Sequence, residues 1–211
     1  MQVLITCGPT REAIDPVRYL SNHSTGIMGF EIAKAFRKKG YSVTLLHGPV
    51  HVPALPQIRK IPFESALDLQ KLLKKHIVSA DILVMAAAVS DYRPVQVSHK
   101  KLKKTHGTPA LKLKKNPDLL KGLKSSKKKK IFVGFCVESE NVIRHAKSKL
   151  TSKSLDLIIA QKAAIKKTPF GNVKPDVWIV NRDLSVEHCR KISKHRLAIK
   201  LETIVTKSIS G

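Results

Sequence analysis

Short apolar runs separated by amphipathic stretches recur from one end of this chain to the other, and that alternation restricts its fold more than any other feature. Runs rich in Val, Ile and Leu at 2–7, 42–47, 58–61, 82–88, 131–136, 155–160 and 177–180 read as strands. Stretches with helical spacing cover 26–39, 64–78, 117–124, 138–153 and 190–208. In the first of these, Met28, Ile32 and Phe36 share one face while Lys34, Lys38 and Lys39 lie on the other. Strands that are apolar on both faces and alternate with helices imply a mostly parallel sheet covered on each side. The predicted class is α/β, a doubly wound Rossmann-like fold whose ligand crevice lies at the carboxyl ends of the strands. The 211 residues suffice for one domain with a substantial core, expected to span residues 1–211, and no internal repeat is visible.

Charge and cysteine usage narrow the partners. Forty Lys and Arg against 15 Asp and Glu give a net charge of +25, which favours polyanions: nucleic acid, a membrane surface or phosphorylated small molecules. The three cysteines, Cys7, Cys136 and Cys189, are far apart and show no zinc spacing. They suit a reducing compartment. The longest apolar run, 82–89, is too short to span a bilayer, and no basic segment precedes the first apolar run. A cytoplasmic protein with no membrane partner is expected.

Two segments interrupt the βα rhythm. The first, GPTREAIDPVRYLSNHSTGIMG at 8–29, puts turn-formers, hydroxyls and amides between the first strand and the first helix. Helix amino termini offer free N–H donors and a positive dipole end, which suit phosphate. Gly8, Thr10, Ser24 and Gly26 are therefore candidate nucleotide-binding positions, although Ser24 or Thr25 could simply cap the helix. The glycines are too widely spaced for a dinucleotide fingerprint, and no P-loop lysine follows. The second segment, 90–110, leaves the strongest strand without sustained periodicity and is expected to be a flap loop. From 99 to 130 the chain carries 13 lysines against one acid, Asp118; most of these, above all Lys127 to Lys130, read as solvated surface. Nucleic acid is not the expected partner, because no aromatic residues are interleaved with the lysines and no nucleic-acid-binding motif occurs. Two further readings stay open: another Rossmann-like nucleotide-sugar or nicotinamide enzyme, and a basic nucleic-acid-binding protein.

The stretch LITCGPTREAIDPVRYLSNHSTGIMG, followed in order by MAAAVSDYRP, KKLKK, LKLKKNPDLL, VGFCVES and KSKLTSKSLDLIIA, resembles the phosphopantothenate–cysteine ligases (phosphopantothenoylcysteine synthetases) of coenzyme A biosynthesis. Since the chain starts at that family's first strand, the likeness is to its stand-alone form. The resemblance implies a ligase that joins 4'-phosphopantothenate to L-cysteine through an acyl-nucleotide, releasing pyrophosphate and then nucleoside monophosphate. CTP is the expected co-substrate, ATP the alternative, with Mg²⁺ and a homodimer.

The same resemblance assigns roles by position. Asn22 is expected to hydrogen-bond the substrate or acyl-nucleotide carbonyl, and Lys101 to reach the triphosphate from the flap; these are the catalytic candidates. Met85, Ala86, Ala87 and Asp91 would meet the nucleotide, as would Asn116, Pro117, Asp118 and Leu119, with Asn116 capping a helix that starts at Pro117. Phe135, Lys149 and Lys153 complete the set, the two lysines sharing a helix face four residues apart. No metal ligands are assigned. The sequence departs from the family at Ile27, where a basic residue is usual, and at Gln161-Lys162, where Asn-Asp is usual. Phe170-Gly171 keeps its place while its neighbours vary.

Overall fold

The computed structural model describes residues 1–51, 53–103, 110–163 and 168–210. Among the described residues twelve strands and five α-helices follow in chain order. They are β1 (Gln2–Cys7), β2 (Arg11–Ala13), β3 (Tyr19–Ser21), α1 (Ile27–Lys38), β4 (Ser42–His47), β5 (Arg59–Pro62), α2 (Ala66–His76), β6 (Ile82–Met85), β7 (Tyr92–Pro94) and β8 (Leu113–Lys115). A 3₁₀ turn at Lys121–Leu123 leads into α3 (Lys124–Lys127), then β9 (Ile131–Glu138), α4 (Val142–Ser152), β10 (Leu157–Lys162), β11 (Val177–Asn181), β12 (Val186–Cys189) and α5 (Lys194–Ser210).

Eight strands form the central sheet in the order β12-β11-β10-β9-β6-β1-β4-β5. The six from β10 to β5 are parallel; β11 runs against them, and β12, antiparallel to β11, returns to their direction. Numbered in chain order, the parallel six lie 3-2-1-4-5-6, so the order reverses between β1 and β6. A doubly wound sheet opens its ligand crevice at that reversal.

Strand alternation divides the core into two layers. Val3, Ile5 and Cys7 of β1, Val84 of β6 and Ile159 of β10 pack beneath α1 and α5. Leu4, Leu83, Phe132 and Ile158 face α2, α4 and the turn at 119–123. Each such side chain, fully buried, contributes roughly 1.5–3 kcal/mol of hydrophobic stabilisation. Gly29 sets how close α1 can come: a Cβ there would lie 2.2 Å from the Cys7 Cβ.

Apart from the helix expected at 117–124, the periodic elements appear where the sequence reading puts them, with shifted ends. The strand expected at 82–88 stops at Met85, because the chain then bends across β1. The helix expected from 138 begins at Val142, since 131–138 continues as strand, and the one expected from 190 begins at Lys194, after a turn that follows β12.

The two interrupted segments are more ordered than their sequences suggest. Residues 11–21 form a β2–β3 hairpin, and buried Glu12 accepts the Ala66 N–H at 2.9 Å at the start of α2. Asp15 closes the hairpin turn by accepting from the Val17 and Arg18 N–H groups. In the second segment β7 pairs with β8, and the Ser98 and Leu102 N–H groups reach the Ile14 carbonyl and Asp15. Residues 104–109 of the expected flap lie outside the described residues. Among the described residues no helix is long and apolar enough to cross a membrane.

Candidate active site

The crevice at the strand reversal begins with backbone stitching. Past β1, Gly8 takes a left-handed conformation (φ 79°), its carbonyl accepts from the Ala88 N–H at 2.9 Å, and the Thr10 N–H returns to the Ala88 carbonyl. Thr6 Oγ1 accepts from the Ala87 N–H at 3.1 Å, and Thr10 Oγ1 from the Ser90 N–H at 3.0 Å. Residues 86–90 are thus fastened along β1 and turned over its end.

Three side chains hang on that turn. The Asn22 amide donates to the Ala88 carbonyl at 3.1 Å. The Asn116 amide donates to the Ser90 carbonyl at 2.8 Å, while its Oδ1 accepts from Arg93 at 2.7 Å. Its backbone N–H bonds the Asp91 carbonyl. Asn116 therefore does not cap a helix at Pro117, and the helix expected at 117–124 is replaced by a turn. Asp118 holds that turn, accepting the Lys121 N–H at 3.1 Å. The amide of Asn116 is spent on the neighbouring strand connection, which the sequence does not reveal.

Around this turn lies a cavity of about 590 Å³. Its lining includes Asn22, Ser24, Gly26, Met85, Ala86, Ala87, Asp91, Asn116, Pro117, Asp118, Leu119, Phe135, Lys149 and Lys153. The α1 amino terminus forms one wall: Gly26 adopts φ 77°, and no side chain caps the helix, so neither Ser24 nor Thr25 plays that part. Its first turn points dipole and N–H groups toward the cavity.

The opposite wall is α4. Lys149 Nζ lies 2.5 Å from Glu138 Oε1, whose other oxygen meets His145 at 3.2 Å, and Lys153 Nζ lies 3.4 Å from Asp118. Burial works against the Lys149 ammonium, but the hydrogen bond and charge of Glu138 outweigh it and raise its pKa. Burial likewise pushes the Glu138 carboxyl up, and Lys149 and His145 bring it below the usual carboxylate range. Burial pushes the Cys136 thiol, also in the lining, up to about 11.

Three candidates are not in the lining. Gly8 and Thr10 lie beneath it as the supports of residues 86–90. Lys101 is exposed on the segment that Asp15 and Arg18 anchor through Leu102, and that anchoring holds the described part of the segment against the β2–β3 hairpin.

The cavity also gathers residues not among the sequence candidates: Ile27, Cys136, Gln161, Pro169, Phe170 and Lys194. Ile27 and Gln161 were visible as departures from the family pattern. Lys194 gave no such signal, because the helix read from 190 begins at Lys194 only in the structure. Among the described residues no group of three His, Cys, Asp or Glu side chains could hold a metal ion.

The comparisons with known proteins agree with this architecture. The coenzyme A biosynthesis bifunctional protein CoaBC of Vibrio cholerae is 43% identical over 167 residues, covering 78% of this chain and 42% of that protein. Its counterpart from Haemophilus influenzae is 45% identical over 161 residues, 76% of this chain and 40% of the other. The chain thus spans about two fifths of the length of the curated relatives it matches. A crystal structure of the C-terminal domain of CoaBC superposes with a TM-score of 0.84 at 30% identity, covering 99% of this chain and 95% of that one. The sequence profile of the DNA/pantothenate metabolism flavoprotein C-terminal domain matches residues 1–209, and with the fold and the relatives in agreement the chain belongs to that family.

Proposed function

We propose that this protein is a nucleotide-dependent phosphopantothenate–cysteine ligase of coenzyme A biosynthesis. The observation that carries the reading is the meeting of sequence-distant residues, Asn22, Asp91, Asn116, Asp118, Phe135, Lys149 and Lys153, around one cavity at the strand reversal. Its relatives are named for coenzyme A biosynthesis, which supports the same reading.

In the first step a carboxylate oxygen of 4'-phosphopantothenate forms a bond to the α-phosphorus of the nucleotide. The bond to the bridging oxygen breaks, and pyrophosphate leaves. Negative charge gathers on phosphoryl oxygens, and pre-positioned cations and N–H donors stabilise it without reorganising. The α1 amino terminus, Lys149 and Lys153 stand in that role. Glu138 and Asp118 hold the two ammonium groups in place until the anion arrives. In the second step the cysteine amine attacks the acyl carbon, nucleoside monophosphate leaves with the bonding pair, and the amine loses a proton. Asn22, held over the 86–90 turn by Ala88, is assigned to the acyl-nucleotide carbonyl.

Lys101 is assigned to the triphosphate from the flap, and Gly8 and Thr10 to the support of the site. CTP is the proposed nucleotide, ATP the alternative. Asp91 and Asp118, the carboxylates in the lining, would face a Mg²⁺ ion bound with the nucleotide, which would supply counter-charge to its phosphates. A homodimer, a single-domain organisation over 1–211 and a cytoplasmic location belong to the same proposal.

Pyrophosphate release by the purified protein with 4'-phosphopantothenate, Mg²⁺ and CTP or ATP, with and without cysteine, tests it. Release that requires phosphopantothenate and turns over freely only with cysteine is expected, faster with CTP. No release with either nucleotide refutes the ligase reading.

A further inference from the structure

Lys194 breaks three local rules at one position. It is the first residue of α5, where the helix dipole disfavours a cation. It is nine-tenths buried, at 9% exposure. Among the described residues it has no carboxylate partner, and its one hydrogen bond runs from Nζ to the Pro169 carbonyl at 3.1 Å. An ammonium has three donors, so two remain for whatever enters the cavity that Lys194 lines. Burying a cation without a counter-charge is costly, and burial lowers the pKa of this one. Violations of this kind collect where function demands them.

Its surroundings supply what an anion needs. The adjacent His195 bonds Glu31, one turn into α1, at 2.9 Å, which holds the start of α5 close to the start of α1. The uncapped first turn of α1 lines the same cavity. Gln161, 7% exposed, lines it from the end of β10, and its side-chain amide has no hydrogen-bond partner among the described residues. Lys149 and Lys153 on the α4 wall already have carboxylates; Lys194 has none.

We propose that Lys194, the amino-terminal turn of α1 and Gln161 form an anion subsite that receives a phosphate group of a substrate. The group is either an outer phosphate of the nucleotide or the phosphate ester of 4'-phosphopantothenate, and only that choice rests on the ligase reading above.

Calorimetric binding of inorganic pyrophosphate tests the subsite without relying on turnover. Lys194→Met, with its fold checked by circular dichroism, should bind pyrophosphate at least about tenfold more weakly than the wild type. Lys194→Arg should keep most of the affinity. Lys128→Gln, at the starting end of β9 and outside the cavity lining, should leave it unchanged. In the wild type, pyrophosphate should slow amine modification of Lys194, read by mass spectrometry, and leave Lys128 labelling alone. The proposal is overturned if the wild type does not bind pyrophosphate, or if a folded Lys194→Met protein binds it normally. Should that variant not fold, absence of Lys194 protection in the wild type overturns it equally. During turnover, a KM increase in Lys194→Arg or Lys194→Met confined to the nucleotide assigns the outer phosphates, and one confined to 4'-phosphopantothenate assigns its ester. A protein that binds pyrophosphate through Lys194 but turns over neither substrate keeps the subsite and loses the ligase reading.

Discussion

The two ends of β9 and β10 are both rich in lysine, yet they use it differently. At the starting end, Lys127 bonds Asp156 at 2.8 Å and the Ser154 carbonyl at 2.5 Å, and Lys130 bonds the carbonyls of Val78 and Ala80 at 3.2 and 2.5 Å. Asp156 also accepts the Phe132 N–H at 2.8 Å, so this cluster fastens loop to strand. At the finishing end, Lys149, Lys153 and Lys194 line a cavity. Within the lysine-richest run, 127–130, Lys127 and Lys130 are therefore structural and Lys128 and Lys129 are exposed, whereas lysines scattered at 149, 153 and 194 line the site. Local charge density is a poor guide to where an anion binds; what counts is whether the cation still has donors free when the chain has folded.

Substitutions at the two ends test this contrast. The largest effect is expected from Asn22→Asp, which should lower amide formation by roughly 10²–10³-fold while pyrophosphate release persists. Equal loss of both products, followed in separate assays, would show that Asn22 serves the first step as well. Lys149→Gln should raise the nucleotide KM about ten- to a hundredfold, since it removes a charge-assisted contact to phosphate. An unchanged KM would place Lys149 with the structural lysines. Lys101→Gln should slow pyrophosphate release about tenfold through loss of one transition-state cation. Stopped-flow kinetics that match the wild type would remove Lys101 from the mechanism.

Lys127→Gln is the converse. It should leave both KM values alone and lower stability by about 1 kcal/mol, because Asp156 and the Ser154 carbonyl lose their donor. Urea denaturation measures that loss, and a catalytic defect in a fully folded variant would contradict the division between the two ends.

The smallest effect is one of pH. Glu138 titrates below an unfolded glutamate, so its contribution to stability is present above about pH 4.3 and is lost as the pH falls through its lower folded value. In Glu138→Gln that part of the acid slope should vanish, and the stability gap from the wild type should close as the pH falls below about 4.3. A gap that stays constant would mean that Lys149 and His145 do not hold the Glu138 charge.

Much of this architecture can be read from residue order. Val3 to Cys7 and Ile82 to Met85 are apolar on both faces, which already implies a covered parallel sheet, and the Met28, Ile32 and Phe36 stripe marks the buried face of α1. These are local signals, because neighbouring residues carry the period. Three-residue strands such as β2, β3, β7 and β8 are too short to show a period, and only their partners make them strands. Asn116 looks like a helix cap until the Ser90 carbonyl lies within reach.

Composition and periodicity alone therefore determined the sheet class, the helix faces and the excess of positive charge. The tertiary structure decided which cations are already compensated. It brought Glu138 to Lys149 and Asp118 to Lys153, and left Lys194 buried with a single carbonyl. The physical reason is range: hydrophobic period is written in residues three or four apart, whereas a charge is satisfied by whatever the fold carries to it, and for Lys194 that is a loop 25 residues away.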